Sequence, residues 1–279
     1  MAQIIGTVGI ALLTLYGVLF SLLGYNMYFQ DRLVEFLSRR ANDEGMKPAE
    51  QLKGKRVYIE REERRAVRVN VYRSEGETLP AVYYCHGNGF DKGDADEDDD
   101  FCAAFAERYH VTLISIAYTK MPVHRTTYPQ EEIMDAVLYT QQHPQEFGIV
   151  KDDYVMLGVG PGAYLAVLAA VMLVRRGVVP DGLILADPFV DYVAVSLAQI
   201  NMHPGPVSLL VSAEYARKPK ITEYADCLLN SSARVHTKRM LYTEKGIREL
   251  LRGKDLSEDE QFDQEEIHRW MGEILKETL

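Results

Sequence analysis

The sequence predicts an α/β protein, a mostly parallel central sheet with helices on both faces, behind an N-terminal transmembrane helix. Three observations carry this expectation. From about residue 56 onward, short apolar runs alternate with segments of helical periodicity. The stretch YVMLGVGPGAYLA, Tyr154 to Ala166, leads a buried strand into a helix through a turn of three glycines. The first thirty residues carry no charged side chain.

Taken in order, Ile4 to Leu23 is long enough and apolar enough to cross a hydrocarbon core as a helix. A basic n-region and an A-x-A-like cleavage site are both lacking, which favours a retained anchor over residues 1–30 rather than a cleaved signal. Arg32, Arg39 and Arg40 follow it and no basic residue precedes it, so a single-pass membrane protein with a cytoplasmic globular part is expected. The alternative is a buried helix of the folded domain. Residues 31–55 then read as a helix, with Leu33, Phe36 and Leu37 at helical spacing, and a polar linker or cap segment.

The domain proper is expected over residues 56–279. RVYIERE and RAVRVNVYR alternate as strands, and ETLPAVYYCHGNGF sets a buried strand before a glycine-rich loop. Helix and strand then follow in turn through DFCAAFAERY, VTLISIAY, EEIMDAVLYTQQH, DYVMLGV, AYLAVLAAVMLVRR, DGLILAD, VSLLVSAE, ITEYADCLLN and RVHTKRMLY. The chain closes on a helix opened by a Ser257/Glu260 capping box, with Phe262, Ile267, Trp270, Met271 and Ile274 on its apolar face.

Composition narrows the function. A chain of 279 residues, 47% hydrophobic and 26% charged, can bury the core of one large domain. A net charge of -10 argues against nucleic acid, because no clustered Lys and Arg are present to neutralise phosphates. Cys85, Cys102 and Cys227 match neither a zinc pattern nor a disulfide framework and suggest a reducing compartment. No cofactor and no metal is expected.

Several local patterns admit two readings. Gly158, Gly160 and Ala163 satisfy G-x-G-x-x-A, with Asp187 ending the next strand, which outlines a dinucleotide-binding fingerprint. Against it, the pattern follows about a hundred residues of sheet instead of opening the domain, and Pro161 removes an amide from the turn that should cradle pyrophosphate. In DKGDADEDDD, Asp94, Asp96 and Asp98 begin like a calcium loop, but Asp99 stands where glycine is needed and Phe105 where the closing glutamate should be. A solvated acidic loop running into a helix N-terminus is the favoured reading. Cys85 adjoins His86, but neighbours on a strand face opposite sides, so Cys85 reads as a small core residue. Ser212, after VSLLV, reads as a turn or cap serine, and His124 as a loop-ordering residue.

Set in order along residues 56–250, HGNGF (His86 to Phe90), YTKMPVHRTTYP (Tyr118 to Pro129), GVGPG and LADPFVD together resemble the α/β-hydrolase superfamily, specifically the hormone-sensitive-lipase-like esterases. The resemblance implies an α/β-hydrolase fold, with an oxyanion loop at His86, Gly87, Asn88 and Gly89 and a nucleophile elbow at GVGPG. It also places Gly160 where the family has its serine, and Pro161 where the next backbone N–H serves the oxyanion. Ala216 falls at the acid position, and no histidine lies between His236 and His268, where the base is expected. These positions imply a membrane-tethered, non-catalytic member of the fold that binds a small apolar or acyl ligand, or a protein partner. Two alternatives stand beside it: a carboxylesterase or lipase-like hydrolase of acyl esters using a non-standard nucleophile, and a structural partner in a membrane complex.

Overall fold

The computed structural model describes residues 45–62, 64–73, 76–87, 93–120, 128–191, 206–230, 235–239 and 243–279, together with residues 14, 15 and 195. The anchor expected over residues 1–30 falls almost wholly outside these. Among the described residues no helix is long and apolar enough to cross a membrane.

Eight strands build one sheet: β1 (Lys55–Arg61), β2 (Arg64–Tyr72), β3 (Leu79–Cys85), β4 (Thr112–Ala117), β5 (Ile149–Val159), β6 (Gly182–Ala186), β7 (Val207–Val211) and β8 (Val235–Arg239). Their spatial order is β1-β2-β4-β3-β5-β6-β7-β8. β1 and β2 form an antiparallel hairpin whose second strand pairs antiparallel with β4, and from β4 to β8 every neighbouring pair is parallel. Parallel neighbours need crossovers, and the chain supplies them as α1 (Asp99–Tyr109), α2 (Tyr128–Gln142), α3 (Pro144–Phe147), α4 (Pro161–Val174), α5 (Ala213–Ala216) and α6 (Pro219–Leu229). The short α7 (Ile247–Arg252) and the long α8 (Glu258–Thr278) complete the chain.

Burial of β3 on both sides shows how the two cores arise. Ala81, Tyr83 and Cys85 point to one face, where they pack with Ile133 and Val137 of α2, Ala166 of α4 and Tyr224 of α6. Val82 and Tyr84 point to the other, with Phe101 and Phe105 of α1, Leu250 of α7 and Met271 of α8. A near-continuous apolar run is what a strand covered on both faces requires. α8 carries the expected Ser257/Glu260 capping box and buries Ile267, Met271 and Ile274. Phe262 is a correction: it is exposed, and Asp263 takes the buried place beside it.

The acidic segment is a second correction. Asp94, Asp96, Asp98 and Asp99 are buried, not solvated. Arg68 Nη2 donates to both oxygens of Asp94 at 2.6 and 2.5 Å, and Arg56 reaches Asp96 at 2.5 Å while Asn70 donates to the same carboxylate at 2.7 Å. Tyr84 and Arg252 donate to Asp98 at 2.9 and 2.7 Å, and Tyr72 donates to Asp99 at 3.0 Å. These partners come from β1, β2, β3 and α7, so the segment is an ionic knot that ties both edges of its neighbourhood together. The guanidinium groups occupy the carboxylates that the calcium reading would have used. The backbone N–H groups of Lys47 and Lys53 also end on Asp96 and Asp99, which fixes the part of the 31–55 segment that is described.

Candidate active site

In a parallel sheet of this kind, ligands bind beyond the carboxyl ends of the strands. Here those ends are Cys85 of β3, Val159 of β5, Ala186 of β6 and Val211 of β7. The turn from β5 into α4 stands among them. Gly160 has φ 54° and ψ -122°, a conformation that L side chains adopt only under strain, and it turns the chain sharply from strand to helix. Its N–H donates to the Ala186 carbonyl at 2.8 Å, and its own carbonyl accepts from Phe189 N–H at 3.0 Å. The elbow is thus pinned on both sides of residue 187.

Two glycines flanking the elbow answer to space. A Cβ on Gly162 would lie 2.2 Å from the Cys85 carbonyl oxygen and 2.3 Å from that of His86, and one on Gly158 would lie 2.3 Å from Cα of Ala163. Both let α4 press against β3 and β5. Gly160 differs, because a Cβ there would meet only the oxygen and Cα of Gly87, at 3.5 and 3.8 Å, among the described residues. Among the described residues there is room for a side chain where the chain has none. Pro161 occupies the first position of α4, where its missing N–H costs the helix nothing and its φ suits the turn.

Gly87, expected in an oxyanion loop, packs over the elbow, while Asn88 and Gly89 lie outside the described residues, as do Phe90 and His124. His86 is buried and stacks on Tyr118, ring centroids 4.3 Å apart and planes 5° from parallel. Tyr118 donates to the His86 carbonyl at 2.6 Å. Burial pushes the His86 imidazole down to about 3, so it is neutral at physiological pH. Cys85 is fully buried and burial pushes its thiol up, which removes it as a nucleophile. Ala216 ends the short α5, partly buried against the core on the α4 face.

One group at this edge was legible in sequence only as the possible ribose acid of a dinucleotide site. Asp187 follows β6, is buried, and has φ 42°. Its Oδ1 accepts from Ser212 N–H at 2.7 Å and its Oδ2 from Ile247 N–H at 2.8 Å. Burial holds this carboxyl above its ordinary range, and those two N–H groups partly offset it. Ser212 caps α5 in position and its hydroxyl is fully buried beside the same carboxylate. The dinucleotide reading loses a donor where it needs one: Pro161 is the first residue of the helix after the glycine turn and has no N–H for a pyrophosphate.

Sheet order, elbow and crossovers define an α/β-hydrolase architecture. Residues 82–246, more than half of the chain, match the family model described as alpha/beta hydrolase fold, and the chain belongs to that family. Among curated proteins it is similar to a versiconal hemiacetal acetate esterase of Aspergillus parasiticus, 27% identical over 154 residues, 55% of this chain and 44% of that protein. It is also similar to an acetyl esterase of Salmonella typhi, 31% identical over 109 residues, 38% of this chain and 33% of that protein. The matches thus span less than half the length of these relatives. In fold it resembles a thermophilic carboxylesterase cloned from a metagenomic library, with TM-score 0.66, 16% identity and coverage of 90% of this chain and 97% of that one. Esterase LipW from Mycobacterium marinum is similar at TM-score 0.68 and 17% identity, covering 89% and 88%.

These matches correct the functional expectation. A non-catalytic, membrane-tethered ligand-binding member was expected from the residues at Gly160 and Ala216, whereas the relatives and structural neighbours are named esterases. The hydrolase alternative is the one they favour.

Proposed function

We propose that this protein hydrolyses carboxylic esters with small acyl groups, at the elbow around Gly160, by a nucleophile other than the side chain of residue 160. The observation that carries this reading is the elbow itself: a strand-to-helix turn with φ 54° and ψ -122° at the carboxyl edge of the sheet, inside the segment matched by the family. The acetyl esterase and acetate esterase names of the relatives support the small acyl group. Phe189, exposed beside the elbow and edge-on to Tyr164 at 6.2 Å, offers an apolar wall for the alcohol part of such an ester. The serine, acid and histidine of the family pattern are replaced or lacking at the positions read above, so the chemistry is assigned to other groups.

The test is turnover of p-nitrophenyl acetate against p-nitrophenyl octanoate by the full-length chain. Hydrolysis above a heat-treated control, faster for acetate, is the expected result, and absence of turnover on either ester would overturn the proposal. The apolar segment over residues 1–30 is proposed as a membrane anchor with the hydrolase on the cytoplasmic side; release of the chain from membranes by alkaline carbonate alone would refute that.

A further inference from the structure

We propose that the cavity beside His86 is a binding site for a small monocarboxylate anion, apart from the elbow. It does not draw on the ester-hydrolase reading: its ground is a cavity of about 170 Å³ at the carboxyl ends of β3 and β4 and the side chains that line it.

The sheet register puts the cavity where a ligand is expected. β2 runs antiparallel to β4 with Arg68 opposite Ala117, and β3 runs parallel to β4 with Cys85 opposite Ile116, so the start of β2 meets the ends of β3 and β4. This is the edge at which a sheet of this kind takes its ligands. His86, the residue after β3, lines the cavity. Gly87, next along, turns to the elbow instead, so close that a Cβ on it would lie 2.8 Å from the Val159 carbonyl oxygen. Among the described residues no part of the elbow lines the cavity, so the two places share a chain segment and not a wall.

Charge then selects an anion. Among the described lining residues, the cations Arg65, Arg68 and Lys120 stand against the carboxyls of Asp94 and Glu132. Asp94 is taken by Arg68, which donates to both of its oxygens. Glu132 accepts from the Thr119 N–H and hydroxyl, and burial raises its carboxyl to about 7, so near neutrality it carries only part of a charge. Lys120 is buried, and its charge is felt at His86, where it adds to burial in keeping the imidazole neutral. The lining therefore holds a positive balance, which one negative charge answers and a dianion would overshoot.

An unsatisfied donor and an apolar wall narrow the anion to a carboxylate. His86 Nδ1 is buried and has no hydrogen-bond partner among the described residues, although buried polar atoms are ordinarily bonded. With its proton on Nδ1 the ring donates to a carboxylate oxygen. The rings of Tyr58 and Tyr118 and the methyls of Ala66 and Ala117 also line the cavity and suit a short alkyl chain. Water alone would satisfy the imidazole but neither the charge nor that wall, and inorganic phosphate would leave the wall unused.

The experiment titrates the full chain at neutral pH, with no ester present, with butyrate, its neutral isostere butyramide, and inorganic phosphate, followed by ligand-observed proton and phosphorus NMR. Wild type is compared with Ala66→Leu, which fills the cavity without altering charge, and with Lys120→Met. Expected are saturable binding of butyrate to wild type, binding of butyramide and phosphate weaker by about tenfold or more, and a similar loss of butyrate binding in both variants. No saturation by butyrate would mean that the cavity holds water alone, and overturns the inference. Butyramide or phosphate binding as tightly as butyrate overturns the carboxylate assignment, and unchanged butyrate binding in Ala66→Leu puts the site elsewhere and overturns it too. Butyramide and Ala66→Leu decide without Lys120→Met, so misfolding of that variant does not shelter the inference. Because no ester is turned over, the hydrolase reading stands or falls separately.

Discussion

The elbow at Gly158 to Gly162 and the ionic knot at Asp94 to Asp99 sit at neighbouring strand ends and hold their shape by opposite means. The elbow is built from absent side chains: two glycines admit backbone contact closer than any Cβ allows, and a third accepts a left-handed turn. The knot is built from charged side chains, each buried carboxylate answered by a guanidinium or hydroxyl. A backbone device survives any change of chemistry at its tip, whereas a charge device tolerates no loss of a partner. That contrast explains how Gly160 can stand at an elbow that keeps its geometry.

Removing a knot carboxylate should have the largest effect. Asp96→Ala leaves Arg56 and Arg68 facing a buried void and strands the Asn70 amide, and is expected to cost about 3–5 kcal/mol, read as a lowered denaturant midpoint. Next is Gly162→Ala, whose methyl would strike two backbone carbonyl oxygens that cannot turn away; about 3 kcal/mol is expected by the same measurement. Gly160→Ala should cost less, about 1–2 kcal/mol, because it meets only the strain of positive φ and no clash. If Gly160→Ala proved as damaging as Gly162→Ala, the elbow would be as tightly packed as its flanks and the space over residue 160 would be illusory.

How much of this was legible in the sequence follows the same division. The strands, the glycine turn and the Ser257/Glu260 cap were readable because they depend on residues a few positions apart. The knot was not, since Arg68 lies 26 residues from Asp94 and Arg252 lies 154 from Asp98, and a run of acids without visible partners reads as solvated. α7 escaped notice as a six-residue helix too short to show a period. Phe262 was misassigned because an apolar face read by spacing cannot tell which edge of the helix meets the protein. Asp187 was visible as an acid at a strand end, but the donor that holds its carboxylate, Ile247 N–H, lies 60 residues away.

The smallest expected effect lies in the cavity that His86 and Tyr118 also line, where Glu132 of α2 accepts from Thr119 N–H at 2.5 Å and from its hydroxyl at 2.8 Å. Burial raises this carboxyl to about 7 from an ordinary 4.5, against the Thr119 donors and Arg61 at 3.6 Å. The folded state therefore holds the proton more tightly than the unfolded chain. Stability from this group is full below about pH 4.5 and is lost as pH rises through about 7. Glu132→Gln cannot ionise, so the Tm of wild type minus that of the variant should fall between about pH 5 and pH 7.5 and level off above. His86 and His268 titrate alike in both proteins and cancel in the difference. A difference that stays constant over that range would mean Glu132 ionises as an ordinary carboxyl, and that its pocket, unlike the knot, is open to water.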